Sequence, residues 1–363
     1  MVNITEPKMS AYLHSKAKQN GTPLAGNFEL TSLCNFNCPM CYVHNDSNSD
    51  SLTTGDWIKL IDTACEKGML FLLLSGGEPL ARDDFREIYI HAHEKGLIVS
   101  INSNGSLIDK YFDLFESYPP SRINISLYAS DSDGYSKSCG TDCFDNVISN
   151  IKTLKRMDIP VKLNVVITKS NCGEIGNIIN LSKTLDLPIQ ITPYCYPQIR
   201  LDSGYGENFA RLTPEEAGKY SVESDILLYG EDEFIKKARL ANESRIITDD
   251  DCSISCRAGS SSFWITHDGK MRACVMMDKP SVDIKSSDFA HCWEYIRAQT
   301  ALIRTPSECK TCPDSGFCRA CTAMCYCETG STDKKPEYVC RMIKSIRENT
   351  QIFLEKRGNN YED

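Results

Sequence analysis

From about residue 27 to residue 193 the chain alternates between short apolar runs and longer amphipathic stretches. The runs NFELTSL (27–33), LFLLLS (70–75), LIVSIN (97–102), RINISLY (122–128), VKLNVVI (161–167) and PIQITPY (188–194) have the length and composition of strands. Between them, apolar residues return every three to four positions. Trp57, Leu60, Ile61, Ala64 and Cys65 share one helical face, as do Phe144, Val147, Ile148, Ile151 and Leu154, and Ile175, Ile178, Ile179 and Leu185. Strand followed by helix, repeated six times, predicts parallel βαβ units. The strands read as apolar on both faces, as they are when helices cover one side and a barrel interior the other. The fold class expected is α/β: a partial (β/α)6 barrel of the TIM type. A doubly wound open sheet would produce the same pattern.

Beyond residue 197 this rhythm breaks. PQIRLDSGYGENFARLTPEE reads as a loop entering a helix, with Thr213 as N-cap and Pro214 at the first helical position. From residue 252 the chain is rich in loops and cysteine. It ends in a helix near 338–356, with Val339, Met342, Ile343, Ile346 and Phe353 on one side. The expected organisation is an N-terminal segment (1–26), the barrel (27–194), a bridging region (195–250) and a cysteine-rich, loop-rich region with its closing helix (251–363).

Composition narrows the function classes. The net charge of −9 over 363 residues argues against a general basic surface, so no nucleic-acid partner is expected. The opening MVNITEPKMSAYLHSKAKQNG has no apolar signal-peptide core, and the aliphatic run MLFLLL (69–74) is too short to span a bilayer. A cytoplasmic protein without a membrane partner is expected. Nineteen cysteines change the picture most. In a reducing compartment they are not structural disulfides. Their concentration at 34–41, 252–274 and 309–340 points to metal, either iron–sulfur or zinc.

TSLCNFNCPMCYVHND (31–46) places Cys34, Cys38 and Cys41 directly after the first strand, spaced C-x3-C-x2-C. Loops after barrel strands build active sites. Thiolates favour iron–sulfur clusters or zinc. A closed zinc site wants a fourth protein ligand, for which His44 is the nearest candidate. A four-iron cubane held by three cysteines instead leaves one iron open, a position that a chelating amine and carboxylate can take.

This motif, the aromatic Tyr42 after its last cysteine and SGGEP (75–79) after the second strand resemble the radical S-adenosylmethionine (radical SAM) superfamily. The resemblance covers roughly residues 27–193. It implies a [4Fe–4S] cluster on Cys34, Cys38 and Cys41, with S-adenosyl-L-methionine on the open iron. It also implies reductive cleavage to a 5′-deoxyadenosyl radical that abstracts hydrogen from a substrate. Met40 is then placed to pack near the adenine. Gly76 and Gly77, lacking a Cβ, let backbone groups approach the SAM amino group. Tyr42 and Glu78 join the cofactor-binding set. Ser103 and Asn104 in SNG, and Ser126 in ISLY, become candidates for ribose or methionyl contacts, with ordinary structural roles as the alternative. One departure stands out. Where many relatives carry an arginine before the fourth helix, KSCG here puts Cys139, with Lys137 close by, which leaves the partner of the SAM carboxylate open.

Cys256, Gly269 and Cys274 form C-x12-G-x4-C, followed by Cys309, Cys312, Cys318 and Cys321 in C-x2-C-x5-C-x2-C and then by Cys340. This is similar to the SPASM extension of radical SAM enzymes, except that the last interval of the second motif is one residue short. Cys325 lies one helical turn beyond Cys321, so either can serve. The resemblance implies two auxiliary [4Fe–4S] clusters. The distal one would be held by Cys309, Cys312, Cys318 and Cys340. The proximal one would be held by Cys256, Cys274 and Cys321 or Cys325, with Cys252 as upstream fourth ligand or an open iron in its place. Zinc-ribbon knuckles share such C-x2-C pairs and are the alternative. Cys65 reads as core. Cys195, after the sixth strand, is a candidate hydrogen-atom donor at the barrel mouth, in a pocket with Tyr194, Tyr196 and Arg200, or simply a buried thiol.

The resemblance therefore implies an oxidoreductase-type enzyme acting on a ribosomally synthesised peptide, by crosslink, thioether formation or epimerisation (RiPP maturation). It would be fed by an external electron donor such as flavodoxin or ferredoxin. A leader-binding module is not expected before residue 27. Three alternatives remain. Sulfatase maturation to formylglycine is weakened by Val275, where relatives of that type place aspartate, although Asp278 is near. Dehydrogenation or epimerisation of a sugar or small molecule is the second. The third, a non-enzymatic iron–sulfur or zinc redox sensor, has no use for SGGEP.

Overall fold

The computed structural model describes residues 8–42, 52–201, 204–206, 209–243 and 256–358, and no side chain at 200, 201, 204–206 or 358. Helix α1 (Lys8–Asn20) leads into β1 (Ala25–Glu29), α2 (Thr54–Glu66) and β2 (Phe71–Ser75). Then follow α3 (Phe85–Glu94), β3 (Ile98–Ser103), α4 (Phe112–Ser117) and β4 (Arg122–Ser126). Helices α5 (Ser132–Cys139) and α6 (Phe144–Arg156) precede β5 (Val161–Val166), α7 (Ile175–Thr184) and β6 (Ile189–Thr192).

All neighbouring pairs from β1 to β6 are parallel, and the strands lie in chain order across the sheet. That order decides between the two expected architectures. A doubly wound sheet reverses direction at a switch point; here the winding never reverses, as in a partial TIM-type barrel. The predicted helical faces are buried: Trp57, Leu60, Ile61 and Ala64 on α2, Phe144, Val147, Ile151 and Leu154 on α6, Ile175, Ile178 and Ile179 on α7. Cys65 and Ile148 pack half-buried against the same core.

The strands are not apolar on both faces, and this corrects the sequence reading. Phe28, Leu72, Leu74, Val99, Ile101, Ile123, Ile125, Leu163 and Val165 face the helices. The other face carries Asn102, Asn124 and Asn164, half-buried, with Asn124 Nδ2 donating to Asn102 Oδ1 at 2.9 Å. The barrel interior is a polar lumen rather than a packed core.

An antiparallel hairpin, β7 (Gln198–Leu201) with β8 (Gly204–Gly206), follows β6. Helix α8 (Pro214–Tyr229) starts at a complete capping box: Glu216 N–H donates to Thr213 Oγ1, and Thr213 N–H donates back to Glu216 Oε2. It is followed by α9 (Glu231–Glu243). Beyond these, β9 (Ser262–Ile265) pairs parallel with β1 on the barrel's open edge, and β10 (Lys270–Arg272) and β11 (Ser281–Asp283) extend the sheet antiparallel. The C-terminal third thus extends the barrel sheet beyond β1. A buried polar joint fixes it: Glu29 accepts from Trp264 Nε1 and faces His267 Nδ1, each at 3.2 Å. Helices α10 (Phe289–Ala301), α11 (Thr322–Thr329) and α12 (Glu337–Gly358) close the fold. Helix α12 packs on α8, where Gly218 lets Ser345 come so close that a Cβ would lie 2.5 Å from the serine Cβ. No helix among the described residues is long and apolar enough to cross a membrane.

Candidate active site

The cysteine loop leaves β1 and is clamped at once by the turn after β2. Gly77 N–H donates to Thr31 O at 2.7 Å, and Glu78 N–H to Leu33 O at 2.8 Å. Both glycines are required by this contact. Gly76 has φ +143, and a Cβ there would lie 2.5 Å from Thr31 O; one on Gly77 would overlap the Leu33 carbonyl. The two motifs read separately in the sequence are one backbone unit.

Glu78 carries the clamp to β3. Its carboxylate is 0% exposed and accepts from Ser103 Oγ at 3.0 and 3.1 Å, Asn104 N–H at 2.7 Å and Leu80 N–H at 3.1 Å. Burial pushes its pKa up to about 7, against the pull of these donors. The Ser103 hydroxyl is thus turned into Glu78, while the Asn104 amide reaches forward. It donates to Asn35 Oδ1 at 2.8 Å and approaches Cys34 Sγ at 3.8 Å. Met40 is buried and Tyr42 half-buried, and the Tyr42 carbonyl accepts from Ile199 N–H at 2.9 Å. Ser126 hydrogen-bonds the Tyr128 phenol, whose pKa burial raises.

Cys34, Cys38 and Cys41 are half-buried thiols outside any disulfide. Cys34 Sγ accepts the amide of Phe36, two residues on, at 3.4 Å. Burial pushes Cys34 up to about 11. Cys38 is pulled down by the thiol of Cys139, which hydrogen-bonds it from the end of α5 and is itself pushed up. So the position where relatives carry arginine here directs a thiol, 1% exposed, onto the cysteine loop, and Lys137 is exposed.

The C-terminal thiols sort into two sets. Cys256 and Cys274 are raised by burial and then further by Cys321. Cys325 is pushed up to about 12 by burial and then by Cys309 and Cys321, with Cys340 and Cys318 adding to it, so it lies between the two sets. Helix α11 begins just after Cys321, so Cys321 and Cys325 lie one turn apart, Cys321 beside Cys256 and Cys274 and Cys325 between them and the Cys309, Cys318 and Cys340 set. The amide-to-sulfur pattern of Cys34 recurs. Cys318 accepts Ala320 N–H at 3.4 Å, Cys256 accepts from Ala258, and Cys274 accepts from Met276. Other thiols instead donate to carbonyls: Cys172 to Lys169 O, Cys195 to Tyr196 O, Cys292 to Asp283 O and Cys327 to Met276 O. Sulfurs that accept amides suit thiolate ligands. Burial raises Cys34, Cys256, Cys274 and Cys318, and a bound metal would supply the charge that lets these amide-facing sulfurs serve as thiolates; thiol-only donor sets of this kind fit [4Fe–4S] clusters. Among the described residues no three Cys, His, Asp or Glu groups converge on a single-ion site. Cys252, His44 and the Arg200 side chain lie outside the described residues.

Between the loop and these sets lies the segment after β6. Cys195 is 3% exposed and pushed up to about 11 by burial, with Arg211 opposing and Cys41 adding to the rise. Tyr194 Oη donates to Glu328 at 2.5 Å, and Arg211 pairs with the same carboxylate at 2.6 Å. The Arg211 guanidinium lies 3.8 Å from the Tyr338 ring centroid. Tyr196 Oη lies 3.9 Å from Cys321 Sγ.

Residues 28–181 match the model of the Radical SAM superfamily. That stretch of the chain is a radical SAM domain. Its cysteine-rich C-terminal region fits the SPASM type of extension. The chain is 24% identical over 348 residues to the AdoMet-dependent heme synthase of Methanosarcina barkeri, covering 86% of this chain and 94% of that protein. It is 27% identical to a probable GTP 3′,8-cyclase of Sulfurisphaera tokodaii, over 70% of this chain and 82% of that one. Its fold matches Streptococcus suis SuiB bound to precursor peptide SuiA (TM-score 0.66, 18% identity, 92% of this chain, 80% of that chain). It also matches anSMEcpe with bound AdoMet and the Cp18Cys peptide (TM-score 0.70, 18% identity, 93% and 99%).

In this radical SAM enzyme, Arg211, Glu328 and Tyr338 escaped the sequence reading. They belong to no motif and meet only through the docking of α11 and α12. Asp278 is exposed and accepts the Tyr326 hydroxyl, so it does not fill the position left by Val275.

Proposed function

We propose that this radical SAM enzyme modifies a ribosomally synthesised peptide at an unactivated C–H bond, by crosslink, thioether formation or epimerisation, and that it carries two auxiliary [4Fe–4S] clusters. Cluster-bound SAM supplies the hydrogen-abstracting 5′-deoxyadenosyl group, chemistry that belongs to the cofactor. Cys34, Cys38 and Cys41 hold that cluster. Gly76 and Gly77 set the SAM cradle, lined by Met40, Tyr42 and Asn104, with Ser126 at the lumen face. Glu78 and Ser103 position it from below. Cys256, Cys274 and Cys321 would hold the proximal auxiliary cluster, with Cys252 or an open iron position as its fourth site. Cys309, Cys312, Cys318 and Cys340 hold the distal one, with Cys325 as a buried neighbour.

The observation that carries the reading is the contact of Tyr194–Tyr196, at the barrel mouth, with Cys321 and Glu328. With a cluster on Cys321, this contact would put an electron acceptor beside the pocket, which an oxidative crosslink requires and a simple hydrogen transfer does not. Cys195, buried beside it, suits hydrogen return in an epimerisation. The peptide-bound states of SuiB and anSMEcpe support the peptide as substrate. Flavodoxin or ferredoxin, in the cytoplasm, would deliver the first electron.

The test is iron and sulfide per chain after anaerobic reconstitution, in wild type and in Cys34→Ala/Cys38→Ala/Cys41→Ala. About twelve irons falling to about eight, with loss of SAM cleavage, supports three clusters. About four falling to none, with zinc present, removes the auxiliary clusters and the electron exit. The near full-length similarity to the heme synthase favours a second reading, oxidation of a small molecule. Carbon-bound deuterium entering 5′-deoxyadenosine from a labelled peptide fraction of the source cell, and not from its tetrapyrrole fraction, supports the first.

A further inference from the structure

We infer that Tyr196 is a positioning residue that hydrogen-bonds the proximal auxiliary cluster through Cys321 and raises that cluster's reduction potential. The inference rests on the reading of Cys321 as a cluster ligand.

Tyr196 Oη lies 3.9 Å from Cys321 Sγ, the long but ordinary reach of a hydrogen bond to sulfur. A tyrosine phenol carries its proton at neutral pH, and a ligating thiolate has none to give, so the hydroxyl is the donor. The ring does not swing freely. Tyr194 meets it edge-on, with centroids 4.7 Å apart and planes at 79°. Tyr194 is in turn tied to Glu328 at 2.5 Å, and Arg211 holds the same carboxylate at 2.6 Å. Glu328 stands on α11, the helix that starts directly after Cys321. The donor and the sulfur it reaches are therefore fixed to one another through a single short helix.

A hydrogen bond to a cluster sulfur stabilises the reduced, more negative state and raises the potential. A few residues on, Ile199 N–H donates to Tyr42 O at 2.9 Å, next to Cys41 of the loop after β1. The segment 194–199 thus runs from the proximal set to the cysteine loop. Tyr196 makes the proximal cluster the better acceptor for an electron leaving the pocket.

The experiment is an EPR-monitored redox titration of reconstituted wild type, Tyr196→Phe and Tyr194→Phe, with iron counted in each. In Tyr196→Phe one cluster's midpoint falls while iron stays near the wild-type count and the other midpoints hold. Tyr194→Phe, which removes the Glu328 bond but no sulfur contact, shifts that midpoint less. If Tyr196→Phe fails to load iron, 3,5-difluorotyrosine at 196, a stronger donor of similar shape, must raise the same midpoint. Midpoints unmoved in a fully loaded Tyr196→Phe, or by the fluorinated residue, overturn the inference and leave the three-cluster reading standing. A wild type holding only about four irons overturns both.

Discussion

The loop at 31–42 and the thiol region at 256–340 both gather cysteines, but they are built in opposite ways. The first is local. Three cysteines in one short segment follow β1, and the turn after the adjacent parallel strand β2 clamps them through two backbone hydrogen bonds. The second is assembled from three distant segments, the first of which contains β9 and is held to the barrel by its pairing with β1. Local spacing fixes the geometry of a loop; it cannot say which of several thiols a helix will turn toward a partner far along the chain. The loop's parts are correspondingly dependent on one another, whereas the thiol region holds spare cysteines whose roles are set by docking.

Ligand loss is the largest expected effect and separates the two sets. Cys321→Ser is expected to cost about four irons, and Cys325→Ser none. The reverse result would reassign α11 and break the sorting of thiols by neighbour. Iron analysis of the reconstituted proteins, with EPR to identify the missing cluster, decides it.

The same contrast marks how much was legible. Six strands, their helices and the Thr213 cap came from periodicity and cap chemistry, which act within a few residues. The polar lumen did not, because single apolar runs such as LFLLLS hide which face Asn102 and Asn124 will share with them. Cys34, Cys38, Cys41 and SGGEP were legible as motifs. Their physical union was not: the glycines serve the Thr31 and Leu33 carbonyls, and Ser103 serves Glu78. Arg211, Glu328 and Tyr338 carry no local signal at all, since their contact exists only once α11 and α12 close on the barrel.

The clamp itself is tested by Gly77→Ala. A methyl group there overlaps the Leu33 carbonyl, so the turn and the cysteine loop must separate. The expected cost is about 2–4 kcal/mol of stability in the iron-free protein. SAM cleavage is expected to drop by about tenfold or more, because the cradle loses its alignment. Iron in the C-terminal sets is expected to stay. Thermal unfolding, 5′-deoxyadenosine assay and iron count together show whether the damage is confined to the local unit. Equal iron loss from both regions would show that the two are not separable.

Glu78 gives the smallest and most specific effect. Burial lifts its pKa from 4.5 to about 7, so the folded protein holds a proton there that the unfolded chain has released. The native state then binds more protons than the unfolded state between these values, and stability falls as pH rises from about 4.5 to about 7, then levels off. The full shift corresponds to about 3 kcal/mol at most, since one pKa unit is about 1.4 kcal/mol. Glu78→Gln cannot ionise. Its unfolding free energy, measured on the iron-free protein, is expected to lack this slope, so the difference between the two proteins should narrow as pH rises. A parallel pair of curves would mean that the Ser103 and Asn104 donors fully offset the burial, and that the joint under the cradle is an ionised carboxylate at every working pH. In that case the clamp is electrostatic rather than a buried neutral joint, and Ser103→Ala should weaken it more at neutral than at acid pH.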